Sequence, residues 1–116
     1  MLENKTKKSK ILDKTRIADS HWKKFKGLML ESKKNFDYAL IFEFAEQGTL
    51  INAIHMLFVF FPIDAIYLDE NKKAVDIKRN LKPWTLYYAP KKPAKYLIEL
   101  PEEKGKEIEL NDELNW

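Results

Sequence analysis

The chain has 116 residues, 45% hydrophobic and 13% aromatic, which predicts one domain around one packed core and excludes a sequence too polar to fold. It contains no cysteine, so disulfide staples, thiolate metal sites and a cysteine nucleophile are excluded together. The formal net charge of +3 is unevenly spread: residues 1–16 hold six basic and two acidic residues, contributing +4, and the remainder sums to −1.

In chain order, residues 1–12 are lysine-rich and aperiodic, which predicts a flexible basic arm ahead of a single β domain over 13–116. No apolar stretch follows the lysines of residues 1–10, so this start does not read as a secretory signal, and a cytoplasmic protein is expected. Residues 16–18 read as a short first strand. Asp19 or Ser20 can cap a short helix whose face carries Trp22, Phe25 and Met29, with Gly27 placed to end it. The period then changes to two: Tyr38, Leu40, Phe42 and Phe44 fall on one side of a half-buried strand.

Residues 50–61 are apolar almost throughout, as in a strand covered on both faces. The longest apolar run, residues 54–63 with His55 inside it, is about half of the ~20 residues a membrane helix requires, so no membrane partner is expected. After Pro62, residues 63–68, the polar turn 69–72 and residues 74–77 read as a hairpin. Pro83, Pro90 and Pro93 make 80–93 a loop with aromatic content. Residues 95–100 alternate again, with Tyr96, Ile98 and Leu100 on one face, and a last short strand is expected at 108–110. The class predicted is mainly β: a small antiparallel sandwich or jelly-roll-like, partly closed barrel with one short helix near the N-terminus.

The segments Arg16-Ile-Ala-Asp-Ser, Lys26-Gly-Leu-Met29, Ile41-Phe-Glu-Phe44, Ile54-His-Met-Leu-Phe58, Pro62-Ile-Asp64 and residues 94–100, in this order and spacing, resemble the family called domain of unknown function 192 (DUF192, also UPF0127). The resemblance covers roughly residues 14–112 and rests on the whole string. It implies a compact β-sandwich of jelly-roll character and no established reaction, substrate or cofactor. Many members carry a tryptophan before the central methionine and a Lys-Asn pair after it, where this chain has His55 before Met56 and Leu57-Phe58 after. A polar site built on that pair is therefore absent. Members often close the domain with a Gly-Asp turn; Asn111-Asp112 stands here, and asparagine can take the same left-handed conformation.

His55, in an apolar run, would be partly desolvated and able to act as a base or ligand; the plainer reading is a hydrogen-bonded structural histidine. Asp64 could orient His55 or serve as a general base, or accept backbone amides at the bend after Pro62. These two are the catalytic candidates of the enzyme alternative. Between residues 72 and 95 eight Lys or Arg stand against Asp76 alone, whereas 99–113 hold seven acidic residues against Lys104 and Lys106. Within the basic stretch, Arg79, Lys82, Trp84 and Tyr87 are the ligand-binding candidates, able to take a small anion or, less favoured, single-stranded nucleic acid. The alternative is a solvated surface over aromatics packed on the sheet. No glycine-rich phosphate loop, G-x-S-x-G setting or metal-ligand spacing is present, so no cofactor or metal is expected. The leading expectation is a non-enzymatic module that binds a small ligand or a protein partner near residues 80–93.

Overall fold

A computed structural model describes residues 1–18, 28–29, 31–48, 59–85 and 88–116. Among the described residues, eight strands form two sheets: β1 (Leu2–Asn4), β2 (Ser9–Leu12), β3 (Thr15–Ile17), β4 (Ala39–Gly48), β5 (Ile63–Leu68), β6 (Ala74–Leu81), β7 (Ala94–Pro101) and β8 (Leu114–Asn115). The larger sheet runs β3-β4-β7-β5-β6 and the smaller β2-β1-β8. All neighbours are antiparallel except β3 on β4. The protein is mainly β, and among the described residues neither sheet closes into a barrel.

β5 is buried at all six positions because it lies between β6 and β7 with a hydrophobic cluster on each face of the sheet. One cluster gathers Phe36, Tyr38, Leu40, Phe42, Phe61, Ile63, Ala65, Tyr67 and Leu97. The other gathers Ile41, Ile66, Leu68, Ile98 and Leu100, with Leu2 and Leu114 from the smaller sheet. Alternation on β7 assigns its residues to the two faces: Ile98 and Leu100 to the second cluster, Leu97 and therefore Glu99 and Pro101 to the first. The β5–β6 hairpin turns where the sequence places it. Asp69 Oδ1 accepts the amides of Asn71 (2.9 Å) and Lys73 (3.0 Å), an acidic side chain substituting for backbone in a tight turn.

The start of the chain departs from the expected flexible arm. Leu2–Asn4 and Ser9–Leu12 pair with each other, and β1 pairs with β8. Leu2 is fully buried, so the domain does not begin at residue 13. The strand expected at 108–110 is instead irregular chain leading into a turn at 110–111, and the last strand is Leu114–Asn115. Asn111 does take the left-handed conformation, φ 73°. Among the described residues the one helical stretch is a 3₁₀ turn, Lys33–Asn35, capped by the Ser32 hydroxyl. The short helix expected around Trp22 and Phe25, and the strand expected over 50–58, lie outside the described residues. Residues 59–61 enter β5 without strand structure. Among the described residues no helix is long and apolar enough to cross a membrane.

Candidate functional site

Asp64 is almost fully buried, and both its oxygens are engaged. Oδ1 accepts the Asn80 amide at 3.0 Å and Oδ2 the Gly105 amide at 2.9 Å. The first bond holds β6 where Asn80 adopts φ 55°; the second ties the 101–107 turn onto β5. A Cβ on Gly105 would stand 3.1 Å from Asp64 Oδ2 and 3.2 Å from its Cβ, so glycine is what permits the approach. Asp64 is thus a fastening between three segments. Its proposed partner, His55, lies outside the described residues. Asp64→Ala, which leaves two backbone amides without their acceptor, is expected to cost about 3 kcal/mol in urea unfolding. A loss below about 0.5 kcal/mol would show that the amides find other acceptors.

Of the basic-loop candidates, Arg79, Lys82 and Trp84 lie among the described residues. The Arg79 guanidinium donates to the Ile108 carbonyl, and Lys82 is exposed. Tyr87 lies outside the described residues. Tyr88, the residue after it, stacks on Tyr67 with ring centroids 6.4 Å apart and donates to Asp76 Oδ2 at 2.9 Å. Burial first, and then this bond, push its pKa up to about 12. Trp84 is different: it is 44% exposed and held at φ 64°, a conformation costly for a bulky side chain. The following Thr85 closes the turn, its hydroxyl donating to the Lys82 carbonyl at 2.8 Å. Trp84 meets Phe60, itself 58% exposed, edge to face at 5.5 Å.

That aromatic pair sits at the end of the larger sheet where β5 begins and β6 and β7 finish, since Ile63 pairs with both Leu81 and Pro101. The same end holds a cleft of about 440 Å³. Phe36, Phe61, Pro62 and Pro101 give it an apolar floor, and Lys33, Glu102 and Glu103 a charged rim. Aromatic rings pack together in the floor: Phe36 lies 5.5 Å from Phe61 and 5.1 Å, edge to face, from Tyr38. The Tyr38 hydroxyl donates to Glu31 Oε2 at 2.9 Å, and the Arg16 guanidinium lies 4.0 Å from its ring centroid. Burial, and after it the Glu31 bond, hold the Tyr38 phenol well above its ordinary pKa.

Behind this floor is Glu99, two residue pairs in from the Pro101–Ile63 pair, facing Leu40 of β4 and Ala65 of β5. It is 4% exposed and its Oε1 has no hydrogen-bond partner. Burial alone pushes its pKa up to about 8, because a carboxylate would leave water without a compensating charge. Glu99 and the cleft escape a sequence reading, which meets Glu99 as one of seven acids in a run. Its only sequence signal is its position inside the apolar string of β7. Elsewhere, Lys5, Lys7, Lys10 and Lys14 of the basic start pair with Glu113, Glu109, Asp13 and Asp37 at 2.6–3.0 Å. Among the described residues no group of three or more His, Asp or Glu is placed to hold a metal.

Comparison with known proteins agrees with the fold. A crystal structure of a protein of unknown function from Novosphingobium aromaticivorans superposes with a TM-score of 0.78 at 18% identity, covering 88% of this chain and 74% of that one. A UPF0127 protein of Thermococcus sibiricus is 42% identical over the full chain and 74% of its own length. One from Pyrococcus furiosus is 38% identical over 97% of this chain and 95% of its own. The profile of DUF192, described as Uncharacterized ACR, matches residues 2–116, the N-terminal hairpin included. The chain therefore belongs to the DUF192 (UPF0127) family.

Proposed function

We propose that this domain is a non-enzymatic small-ligand binding module, its two sheets packed as a small jelly-roll-like sandwich whose open end carries the site. The observation behind the reading is the coincidence, at one end of the larger sheet, of the cleft floored by Phe36, Phe61, Pro62 and Pro101 with the exposed Phe60–Trp84 pair. Natural ligand sites are concave, mostly apolar, and roughly 300–1,000 Å³ in volume. The floor suits a flat apolar body, and Lys33 on the rim suits an anionic end.

Two alternatives have less support. An enzyme built on Asp64 would have to release a carboxylate that already accepts two backbone amides. A nucleic-acid surface built on the basic start would compete with the acids that its lysines already face.

Thermal-shift measurements with aromatic carboxylates and the corresponding aromatic amines test the reading. The carboxylates are expected to raise Tm by roughly 10 °C at a hundredfold excess over Kd. Lys33→Glu, at an exposed position, should abolish that preference while leaving the unliganded Tm nearly unchanged. Equal shifts from amines and carboxylates, or no shift from any of them, would discard the assignment.

A further inference from the structure

β6 is an outermost strand of the larger sheet. Every second residue of an edge strand turns its N–H and C=O away from the sheet, where they need water or another strand. At the start of β6 the chain supplies its own partner: Ala74 donates to the Asp112 carbonyl at 2.9 Å and accepts the Asn111 amide at 2.8 Å, and Lys73 bridges Glu113 antiparallel. At the far end the register with β5 shifts, as Asn80 adopts φ 55° and gives its amide to Asp64 Oδ1. Between these limits, residues 75–79 have no strand on their outer side among the described residues. Such a stretch is about 16 Å long, room for a pentapeptide.

A groove of about 600 Å³ follows this edge, lined by residues 75–77 and 79, by 91–92 and by 109–110. Asp76 accepts from the Tyr88 hydroxyl and the Lys91 amide, and Tyr88 stacks on Tyr67, so Lys91 and Lys92 stand on the Tyr67 side of the sheet. Ile77 packs on the other cluster, where the Arg79 guanidinium donates to the Ile108 carbonyl, so Glu109 and Leu110 form the opposite wall. The two walls differ in chemistry. Lys91 and Lys92 are exposed, and among the described residues neither side chain pairs with an acid. Exposed Lys78, opposite Ala65 of the first cluster, adds a cation on that side, and the acid beneath them, Asp76, is buried. On the other wall Leu110 is 56% exposed and lines the groove with the half-buried Ile77, while Glu109 is engaged by Lys7 at 2.6 Å.

We propose that the outer edge of β6 is a docking site for an extended peptide segment of a partner protein in which acidic and apolar residues alternate, bound by strand addition. A strand laid along 75–79 continues the sheet, so its side chains alternate between the two walls. Those on the Asp76 side meet the lysines and are best acidic; those on the Ile77 side meet Leu110 and are best apolar. A second copy of this chain is a poorer occupant, because β6 against β6 brings the Lys78 and Arg79 charges of two copies together, and charged residues of this kind protect exposed edges from self-pairing. The groove shares no lining residue with the cleft and does not depend on the ligand reading of it.

Fluorescence anisotropy with a labelled Gly-Glu-Val-Glu-Val-Glu-Gly peptide tests the proposal, beside Gly-Lys-Val-Lys-Val-Lys-Gly and the block-ordered Gly-Glu-Glu-Glu-Val-Val-Gly. The alternating acidic peptide is expected to bind roughly tenfold or more tighter than either. Lys91→Glu combined with Lys92→Glu, both at exposed positions, should weaken it about tenfold while the unliganded Tm stays within about 3 °C. Two further peptides, N-methylated on the Glu residues only or on the Val residues only, separate strand addition from charge attraction, since only one set of amides faces β6. One should lose binding and the other keep it. An equal effect of the two methylations, equal binding by the block-ordered peptide, or no binding by any peptide would overturn the proposal. Sedimentation of the protein alone as a dimer, with the amides of 75–79 protected from hydrogen exchange, would assign the edge to a second copy and overturn it as well.

Discussion

Removing residues 1–12 is expected to abolish the cooperative thermal transition, or to lower Tm by more than about 15 °C. A flexible arm would come off without consequence; this segment is part of the core. Leu2 is fully buried in the cluster formed by Ile41, Ile66, Leu68, Ile98 and Leu100, and burying one leucine contributes roughly 2–3 kcal/mol. Its removal with β1 and β2 uncovers the apolar neighbours as well. It also strips Asp112, whose Oδ2 accepts from Asn4 Nδ2 at 2.8 Å and the Glu109 amide at 3.0 Å, with Lys7 Nζ 3.6 Å away. Burial pushes the Asp112 carboxyl up, yet the Glu109 amide, Asn4 and Lys7 outweigh it and hold the pKa below its ordinary value. Without Asn4 and Lys7 that balance is lost. Leu2→Ala alone should cost about 3 kcal/mol. A truncated chain that melts within about 3 °C of the full one would mean that the smaller sheet contributes little.

Glu99→Gln is expected to change the pH dependence of stability more than any surface substitution. The native carboxyl, with its pKa pushed up to about 8 from an ordinary 4.5, holds a proton that the unfolded chain gives up at lower pH. The stabilisation is complete below pH 4.5 and declines as pH rises toward 8, at up to about 1.4 kcal/mol per pH unit. Urea midpoints for the wild-type protein should fall across this window, whereas those of Glu99→Gln stay level. The neighbouring Tyr38 phenol titrates far above it. Asp13, Asp37 and Asp112, with lowered values, act below it. Parallel wild-type and variant curves would mean that the Glu99 carboxyl is solvated or paired in solution.

The legible parts of this fold are those whose pattern is local. The β5–β6 hairpin is announced by Pro62, an apolar run and a polar four-residue turn, and β4 and β7 by strict alternation. The N-terminal hairpin is not announced, because β1 has only Leu2 as an apolar anchor and pairs with a strand more than a hundred positions away; the Asn4–Asp112 bond alone spans 108. The misplaced last strand has a similar cause. Ile108 is buried and Leu110 is 56% exposed, so an apolar pair spaced by two mimicked a strand where irregular chain entering a turn presents one residue inward and the other outward. Glu99 was hidden by the rule that served elsewhere. On a half-buried strand the polar position of an alternating pair faces water, but β7 is central and covered on both faces, so its polar position is interior. The cleft draws on three separated segments, and none of its lining residues stood out as a candidate.

The pairing of β1 with β8 also bears on how the protein is made. β1 is synthesised first, yet it gains one of its two neighbours only when residues 114–115 have been added. Contacts of such long sequence separation form late and slow folding. During translation the apolar face formed by Ile41, Ile66, Ile98 and Leu100 therefore emerges before its lid can be completed. Throughout that interval the nascent chain carries a sticky surface, and shielding it is a task for the cell's chaperones.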